Sequence, residues 1–434
     1  MLPADVSEEI TRSPNRKDSD QISEWVHDLY PSLFPLYTHL HAFPELSGQE
    51  IETSRRIADE LRSAGFQVSE GIGGHGVVSV LKNGEGPTVL LRAELDGLPI
   101  EEKTGLPYAS TARGRLADKG EVGLMHACGH DIHMTVLVGA ARLLRERTDL
   151  WQGTLVLVAQ PLEEVGAGAR AMIEDGLFSR FPYPDFALAL HVAPSLPAGT
   201  VGLRQGLFWA GCASLEIVIR GIGGHGSRPH ETKDPIVMAA ETILLLQTIV
   251  SREISPVEPA VLTVGSIHGG TKGNIIPEEV VLQVNYRYFS DATARHLRAA
   301  IERTARGVAV AAGVPESLMP TVIDQYSGPP INNDPELTQR MISAFSGVLG
   351  NENVIRTERY TFSDDFSQFG THGAGIPLCY FLLGTAESQS AAEKAATNLA
   401  SPGIHNPAFA PPPEQSIKTG VKAMVAAILE LLPR

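Results

Sequence analysis

The 434-residue chain sets 35 Lys and Arg against 50 Asp and Glu, a formal charge of −15, and 43% of it is hydrophobic. The length suggests two domains, one inserted in the other, with enough apolar material for substantial cores. The acidic balance, with no basic stripe, argues against a nucleic-acid footprint and against an anionic membrane surface as partners.

Residues 1 to about 20 are a charged, Ser/Asp-rich tail in which little order is expected at the start, and no signal-peptide pattern is visible. A helical pattern runs through Trp25, Leu29, Leu33 and Leu36 into His41-Ala42-Phe43-Pro44-Glu45-Leu46. Ser47 is placed to cap a second amphipathic helix that carries Ile51, Ile57 and Leu61 and stops at Gly65. Strand-like runs follow at 77–81 and 88–92, the second leading into Glu94-Leu95-Asp96-Gly97. An apolar run, 134–141, reads as a buried helix with Cys128, His130 and His133 at its entry. The strand 154–159 ends in Gln160-Pro161-Leu162-Glu163-Glu164. A short helix near 167–175 precedes the strand 186–190, which ends on His191. Strands alternating with helices indicate an α/β domain with a mostly parallel sheet.

From Cys212 the pattern changes to strand 213–220, helix 234–251, strands 260–267 and 279–288, helix 291–312 and strand 319–326. That β-α-β-β-α-β order is the one of ferredoxin-like α+β domains, complete within the insertion. The chain then returns to mixed α/β, with a helix from Pro335, a segment 363–369, a strand 377–383 and a closing helix from Glu414. Residues 385–412 read as a long loop carrying His405. No run approaches the ~18 apolar residues of a membrane span. Gly-Ile-Gly-Gly-His-Gly occurs at 71–76 and 221–226. A dinucleotide site is rejected at both, because neither copy opens directly into a helix.

Three histidines, a cysteine and an aspartate fall within Met125-His126-Ala127-Cys128-Gly129-His130-Asp131-Ile132-His133. Any one of them alone is more often ordinary core, but this density of ligand types points to a transition metal. Glu163 and Glu164 stand at the carboxyl end of a buried strand, the edge where open α/β sheets place their sites. Adjacent carboxylates point different ways, so one can bind metal while the other handles protons. Cys128, His130, Glu164, His191 and His405 make five candidate ligands. One catalytic zinc uses three, so two metals are expected. Asp96 is placed to orient a ligand imidazole from behind. The cysteines, Cys128, Cys212 and Cys379, are odd in number and far apart. They suggest no disulfide framework and a reducing, cytoplasmic compartment.

These residues resemble the M20 metallopeptidases, in the amidohydrolase branch of hippurate hydrolases, N-acyl-amino-acid amidohydrolases and plant auxin-conjugate hydrolases. The resemblance rests on His41 to Leu46, Leu91 to Pro99, Met125 to His133, Gln160 to Glu164, Leu190 to Pro194, Gly223 to Gly226, Asn274 to Pro277, Ser363 to Phe366 and Ile404 to Pro407. It implies a catalytic metal-binding domain in two parts, 21–211 and 328–434, and an inserted lid and dimerisation domain, 212–327. Cys128, His130, Glu164, His191 and His405 take the ligand positions, and Glu163 that of the general base. His225 matches a lid residue that holds the scissile carbonyl. Asn274 and, more loosely, Arg287 match substrate-binding positions. Glu94 stands where the branch usually has Asp, and Asp364 where it usually has Glu.

The implied reaction is hydrolysis of the amide bond of an N-acyl amino acid to a carboxylic acid and a free amino acid. Zinc suits the thiolate and histidines, with manganese, cobalt or nickel as possible replacements. The partners implied are a small N-acyl amino acid or peptide and further copies of the chain, as a dimer or dimer of dimers. Two rival readings remain: a carboxypeptidase or dipeptidase on unblocked peptides, and a non-catalytic metal- or ligand-binding protein. Glu163 argues against the second, since a carrier needs no proton shuttle.

Overall fold

The computed structural model describes residues 16–116, 120–371, 375–387 and 402–434. The start of the expected tail and residues 388–401 of the expected long loop therefore lie outside the described residues. By packing, the chain divides into two units: Met1–Gly206 with Asn333–Thr357 and Phe369–Arg434, and Leu207–Asn332 with Glu358–Gln368.

In the first unit, helix α1 (Arg16–Ala42) buries Ile22, Val26, Leu33, Leu36, Tyr37 and Leu40, residues spaced to share one helical face. Helix α2 (Ile51–Ser63) buries Ile57, Ala58 and Leu61. Its expected cap is corrected by the structure. The Ser47 hydroxyl donates to Asp96 Oδ2 at 2.6 Å instead. The Glu45 carboxylate accepts from Glu52 N at 3.2 Å and Thr53 N at 2.7 Å, satisfying the first-turn donors of α2.

The large sheet holds strands β1 (Gln67–Ile72), β2 (Gly76–Asn83), β3 (Thr88–Glu94), β4 (Gly153–Gln160), β5 (Phe186–Pro197), β6 (Val201–Leu203), β7 (Val354–Arg356) and β8 (Leu378–Ala386). Their order is β1-β2-β4-β3-β5-β8-β6-β7. The central neighbours β4, β3, β5 and β8 are all parallel. Both faces of these strands are covered, which is why they read as continuous apolar runs rather than as alternation. Helices α1, α3 (His130–Glu146) and the closing helix α5 (Pro413–Leu431) pack on one another, and α4 (Pro335–Leu349) also packs on α5. Glycines allow α3 and α5 to approach: a Cβ on Gly139 would lie 2.7 Å from Val421 Cγ2, and one on Gly420 2.6 Å from Val136 Cγ2.

Register places the chemistry. Glu94 pairs with Gln160 and Arg92 with Ala189, so β3 and β4 end together and His191 lies at the same level; the expected strand end at His191 is corrected, since β5 runs on to Pro197. Asp96, the Glu163-Glu164 pair and His191 are delivered there by parallel strands. The first Gly-Ile-Gly-Gly-His-Gly copy is the turn between β1 and β2.

In the second unit, the strands Gly211–Arg220, Val261–Gly269, Glu279–Tyr288 and Thr321–Gly328 form an antiparallel sheet with Val261–Gly269 at one edge. The helices Pro235–Glu253 and Asp291–Ala311 pack on it and share its core. Asp234 and Ser290 cap them by accepting from Ile236 N and Thr293 N. By length and composition the helix Pro235–Glu253 is apolar enough to cross a membrane. Glu241 and Gln247 interrupt it, so it contains no unbroken apolar run of membrane-spanning length. Its inner face, Met238, Ala239, Leu246 and Ile249, is buried in the core, while Leu244 and Leu245 are exposed.

Candidate metal centre

Three buried or half-buried ligand-type groups meet at one sulfur. Cys128 Sγ lies 3.3 Å from His191 Nε2 and 3.3 Å from His405 Nε2. Glu164 Oε1 is 3.5 Å from the same His405 nitrogen. On the other side, His130 Nε2 is 3.8 Å from Glu163 Oε2. The sets Cys128-His130-His191, Cys128-Glu164-His405 and His130-Glu163-Glu164 are each compact enough to surround an ion. Cys128, His130 and Glu164 belong to two of these sets each, so the arrangement is a continuous, bridged one.

Local structure explains each placement. Gly129 caps α3 in the left-handed region at φ +79, and a Cβ there would strike Val192 Cγ2 at 2.6 Å. Only glycine turns Cys128 and His130 to the same side beneath β5. His405 also has a left-handed backbone, φ +62, and its N–H donates to Ala127 O at 2.8 Å. That bond ties the late loop to the turn that carries Cys128.

Hydrogen bonds also decide which ring nitrogens face the centre. His130 Nδ1 donates to Asp96 O at 2.8 Å, and His191 Nδ1 donates to Val192 O at 2.8 Å. In both rings it is therefore Nε2 that faces the centre, the nitrogen that can bind an ion once it is free of its proton. The Asp96 carboxylate accepts from Glu164 N at 2.9 Å and Ser47 Oγ at 2.6 Å, and its other oxygen is 3.6 Å from His130 Nδ1. Asp96 thus anchors the loop of one candidate ligand and the ring of another.

A further layer was not legible in the sequence. Val192 N donates to His133 Nε2 at 3.0 Å, so His133 carries its proton on Nδ1 and donates it to Glu94 Oε2 at 2.7 Å. The other oxygen of Glu94 accepts from Arg92 Nη1, and Arg92 Nε donates to Gln160 Oε1 at 2.9 Å. The Val192 peptide is therefore held at both ends, by His133 at its N–H and by His191 at its carbonyl. The available signal was spacing: His133 follows His130 by three residues, which puts both on one face of α3. The Met125–His133 segment contributes an ion cluster besides. His41 Nδ1 donates to Asp131 Oδ2 at 2.7 Å and Nε2 to Glu102 Oε1 at 3.0 Å, with all three side chains buried.

The electrostatics of the metal-free protein are those of an anionic hole. Burial, then the charges of Glu164 and Glu163, push the Cys128 thiol well above its ordinary value. Burial works against charge on His130, but the Asp96 hydrogen bond and the Glu94 charge outweigh it and raise the imidazole to about 10. Burial, helped by the neighbouring His133, holds His191 well below its usual value and so neutral. His130 Nε2 and Glu164 Oε1 are among several buried side-chain atoms of the described residues that have no hydrogen-bond partner, and both lie at this centre. Buried polar atoms are seldom left so, and two facing the same thiol fit a divalent cation.

In the second unit, Ser227 N donates to His225 Nδ1 at 3.1 Å, which leaves the ring proton on Nε2 of an exposed imidazole. Arg287 donates from Nε to Asn285 Oδ1 at 2.9 Å and from Nη1 to Ser363 Oγ. Asn274 O accepts from Gly226 N at 2.9 Å, closing the loop that carries His225. Asp364 is buried and caps its own turn by accepting from Phe366 N at 2.8 Å.

A profile described as peptidase family M20/M25/M40 matches residues 90–430. The N-acetyl-L-cysteine deacetylase of Bacillus subtilis (strain 168) is 37% identical over 359 residues, 82% of this chain and 81% of that protein. Thermostable carboxypeptidase 1 of Saccharolobus solfataricus is 33% identical over 380 residues, 85% of this chain and 88% of that one. Among solved structures, the YXEP protein of Bacillus subtilis, described as a dinuclear metal binding peptidase from the M20 family, aligns with a TM-score of 0.72 and 28% identity. That alignment covers 94% of this chain and 100% of the other.

Proposed function

The chain belongs to peptidase family M20/M25/M40, and from that premise we propose how it works as a metal-dependent amidohydrolase on N-acyl amino acids. The observation that carries the reading is the Cys128 sulfur set between two imidazoles at 3.3 Å, beside His130 Nε2 and Glu164 Oε1, neither of which makes a hydrogen bond. Cys128, His130, Glu164, His191 and His405 would hold two divalent ions, zinc by preference for the thiolate and imidazoles. Bound there, a divalent metal supplies Lewis-acid chemistry, acidifying a water and polarising the acyl carbonyl.

The chain's own residues do the rest. Glu163, beside the His130 ring, takes a proton from the attacking water and returns it to the departing amine. His225, with its proton on Nε2, is the donor assigned to the carbonyl oxygen as negative charge develops there. Arg287, braced by Asn285 and Ser363, is assigned the free carboxylate of the amino acid, and Asn274 the adjoining substrate contact. Asp96 keeps His130 and the Glu164 loop in place.

Self-association through the second unit belongs to this reading. The edge strand Val261–Gly269 exposes Val261 and Ile267, beside a helix that exposes Leu244 and Leu245. Open apolar edges of this kind favour pairing with another copy.

The test is amine release from N-acetyl amino acids, longer N-acyl amino acids and unblocked dipeptides. It is run with and without chelator, and single metals are then restored. Chelator-sensitive release from the blocked substrates is the expected result. The similarity to a carboxypeptidase keeps dipeptides in the panel, and release from dipeptides alone would replace the N-acyl reading with a peptidase one.

A further inference from the structure

Two non-glycine residues among those described have a left-handed backbone, Leu162 at φ +59 and His405 at φ +62. Both lie in the metal centre. An L residue avoids this region because its Cβ crowds the following carbonyl, so the surroundings must impose the conformation. For His405 the reason is plain, since its ring reaches the Cys128 sulfur. Leu162 carries no chemistry of its own. It immediately precedes Glu163 and Glu164, so its φ sets the direction in which the loop presents both carboxylates.

What holds Leu162 comes from the other side of the centre. Glu50 is fully buried, and its Oε1 accepts from Leu162 N at 2.8 Å across 112 residues. Gly48 lies beneath the leucine, where a Cβ would come within 3.3 Å of Leu162 Cδ2. Beyond Leu162 the loop turns back sharply. Leu162 O accepts from Ala167 N at 3.1 Å, and Glu163 O accepts from Gly166 N at 2.7 Å. Glu50 occupies the N-cap position of α2 yet makes no cap bond with its side chain, because Glu45 serves those donors. Its carboxyl reaches instead to a strained residue on another loop. A buried carboxyl is expensive to desolvate, and besides the nearby Gly48 and Glu50 backbone it serves Leu162, 112 residues away, which calls for a reason.

We propose that Glu50 is a positioning residue: it holds Leu162 in the left-handed region and thereby aims the Glu163-Glu164 pair. The assignment rests on the reading of Glu163 as general base and Glu164 as ligand. Neither the ligand set nor the base explains why the segment Pro44 to Glu50 lies against this loop. Glu50, Gly48 and Ser47 together do, since they hold Leu162 directly and Glu164 through Asp96.

The experiment compares the full-length protein with Glu50→Met, Leu162→Gly and the double variant. Methionine keeps the buried volume and removes the acceptor. Glycine takes φ +59 without steric penalty. Two quantities are read on each preparation: kcat toward N-acetyl-L-cysteine after zinc loading, and Zn²⁺ affinity by competition with a chromophoric chelator. Glu50→Met is expected to lower both about 10-fold when Leu162 is present, the scale on which an L residue disfavours this region. In the Leu162→Gly background the same change is expected to lower them less than about 2-fold. Equal losses in the two backgrounds overturn the proposal. Glu50→Gln retains an acceptor and is expected to stay near native values, and a loss as large as that of Glu50→Met also overturns it.

Should Glu50→Met fail to fold, Leu162→Val is read with Glu50 intact. A β-branched residue resists the left-handed region most, so Leu162→Val is expected to weaken Zn²⁺ binding more than Leu162→Gly does, and the opposite order overturns the proposal. The zinc measurement stands whether or not N-acetyl-L-cysteine is turned over. Glu163→Gln separates the two readings: turnover that survives it removes the base assignment, while the zinc comparison still judges Glu50.

Discussion

Glu94→Gln is the most informative single change behind the metal centre, because it preserves shape and reverses one hydrogen-bond polarity. In the native protein one Glu94 oxygen accepts from Arg92 and the other from His133 Nδ1. A glutamine has one oxygen and one NH2, so one of these two donors must face another donor. If the NH2 meets Arg92, a buried guanidinium loses its carboxylate, a break of the kind that costs about 3–5 kcal/mol. If it meets His133, the ring must move its proton to Nε2, which then opposes Val192 N at 3.0 Å. That leaves a buried donor unsatisfied, at about 1–3 kcal/mol. The smaller figure is the lower bound on lost stability. The metal site is affected through Val192, whose carbonyl orients His191. Loss of such outer support typically weakens metal binding by about 10–100-fold. Urea unfolding of the metal-free protein and competition titration with Zn²⁺ measure the two effects separately. Native-like values in both would refute the polarity argument. Glu94→Asp keeps both acceptor oxygens on a shorter stem and is expected to lose less than Glu94→Gln in each assay.

Glu163→Gln is expected to keep zinc stoichiometry and to lower kcat by roughly 10²–10⁴-fold, the usual scale for a general base; steady-state rates with metal analysis on the same sample check this. Metal uptake is expected to strengthen as pH rises. The Cys128 thiol is raised by burial and by Glu164 and Glu163, and His130 is raised to about 10, so binding must displace protons that are scarcer at high pH. Zn²⁺ titrations between pH 6 and 9 in buffers of different ionisation enthalpy would show this release, and pH-independent affinity would contradict it. His41 supplies a separate pH signature. Burial opposes its charge, but the hydrogen bonds to Asp131 and Glu102 raise it to about 10 in the folded protein. A group raised on folding contributes fully below its unfolded value near ~6.5, and its contribution is lost as pH climbs through about 10. Denaturant stability of the metal-free protein should therefore fall across that window, and His41→Gln should flatten the fall.

Much of this centre could be read along the chain because its ligand types are clustered or stand at strand ends. Cys128 and His130 are two residues apart, and Glu163, Glu164 and His191 follow apolar runs that can only be buried strands. Parallel strands in register then carry those residues to one level of the sheet, with His191 inside β5 rather than at its end. The reading failed where two local rules competed for the same side chain. Ser47 has the form of a helix cap, yet its hydroxyl serves Asp96, and Glu45 caps α2 in its place. A capping bond and a bond to a buried carboxylate are both available to a serine. The charged acceptor, already half enclosed by the Glu164 backbone, prevails.

The sequence by itself determined the periodicities, and through them the α/β class and the set of residues able to hold a metal. Those are properties of composition within a window of ten or twenty residues. Only the tertiary structure decided which nitrogen of His130 and His191 is left for an ion, why Leu162 stands in the left-handed region, and what Glu94 and Glu50 are for. Each of those outcomes depends on a hydrogen bond between residues roughly 30 to 110 positions apart, apart from the local bond of His191 to Val192. Nothing in the local pattern ranks such partners, because donors and acceptors are satisfied by whatever the packed core brings within about 3 Å.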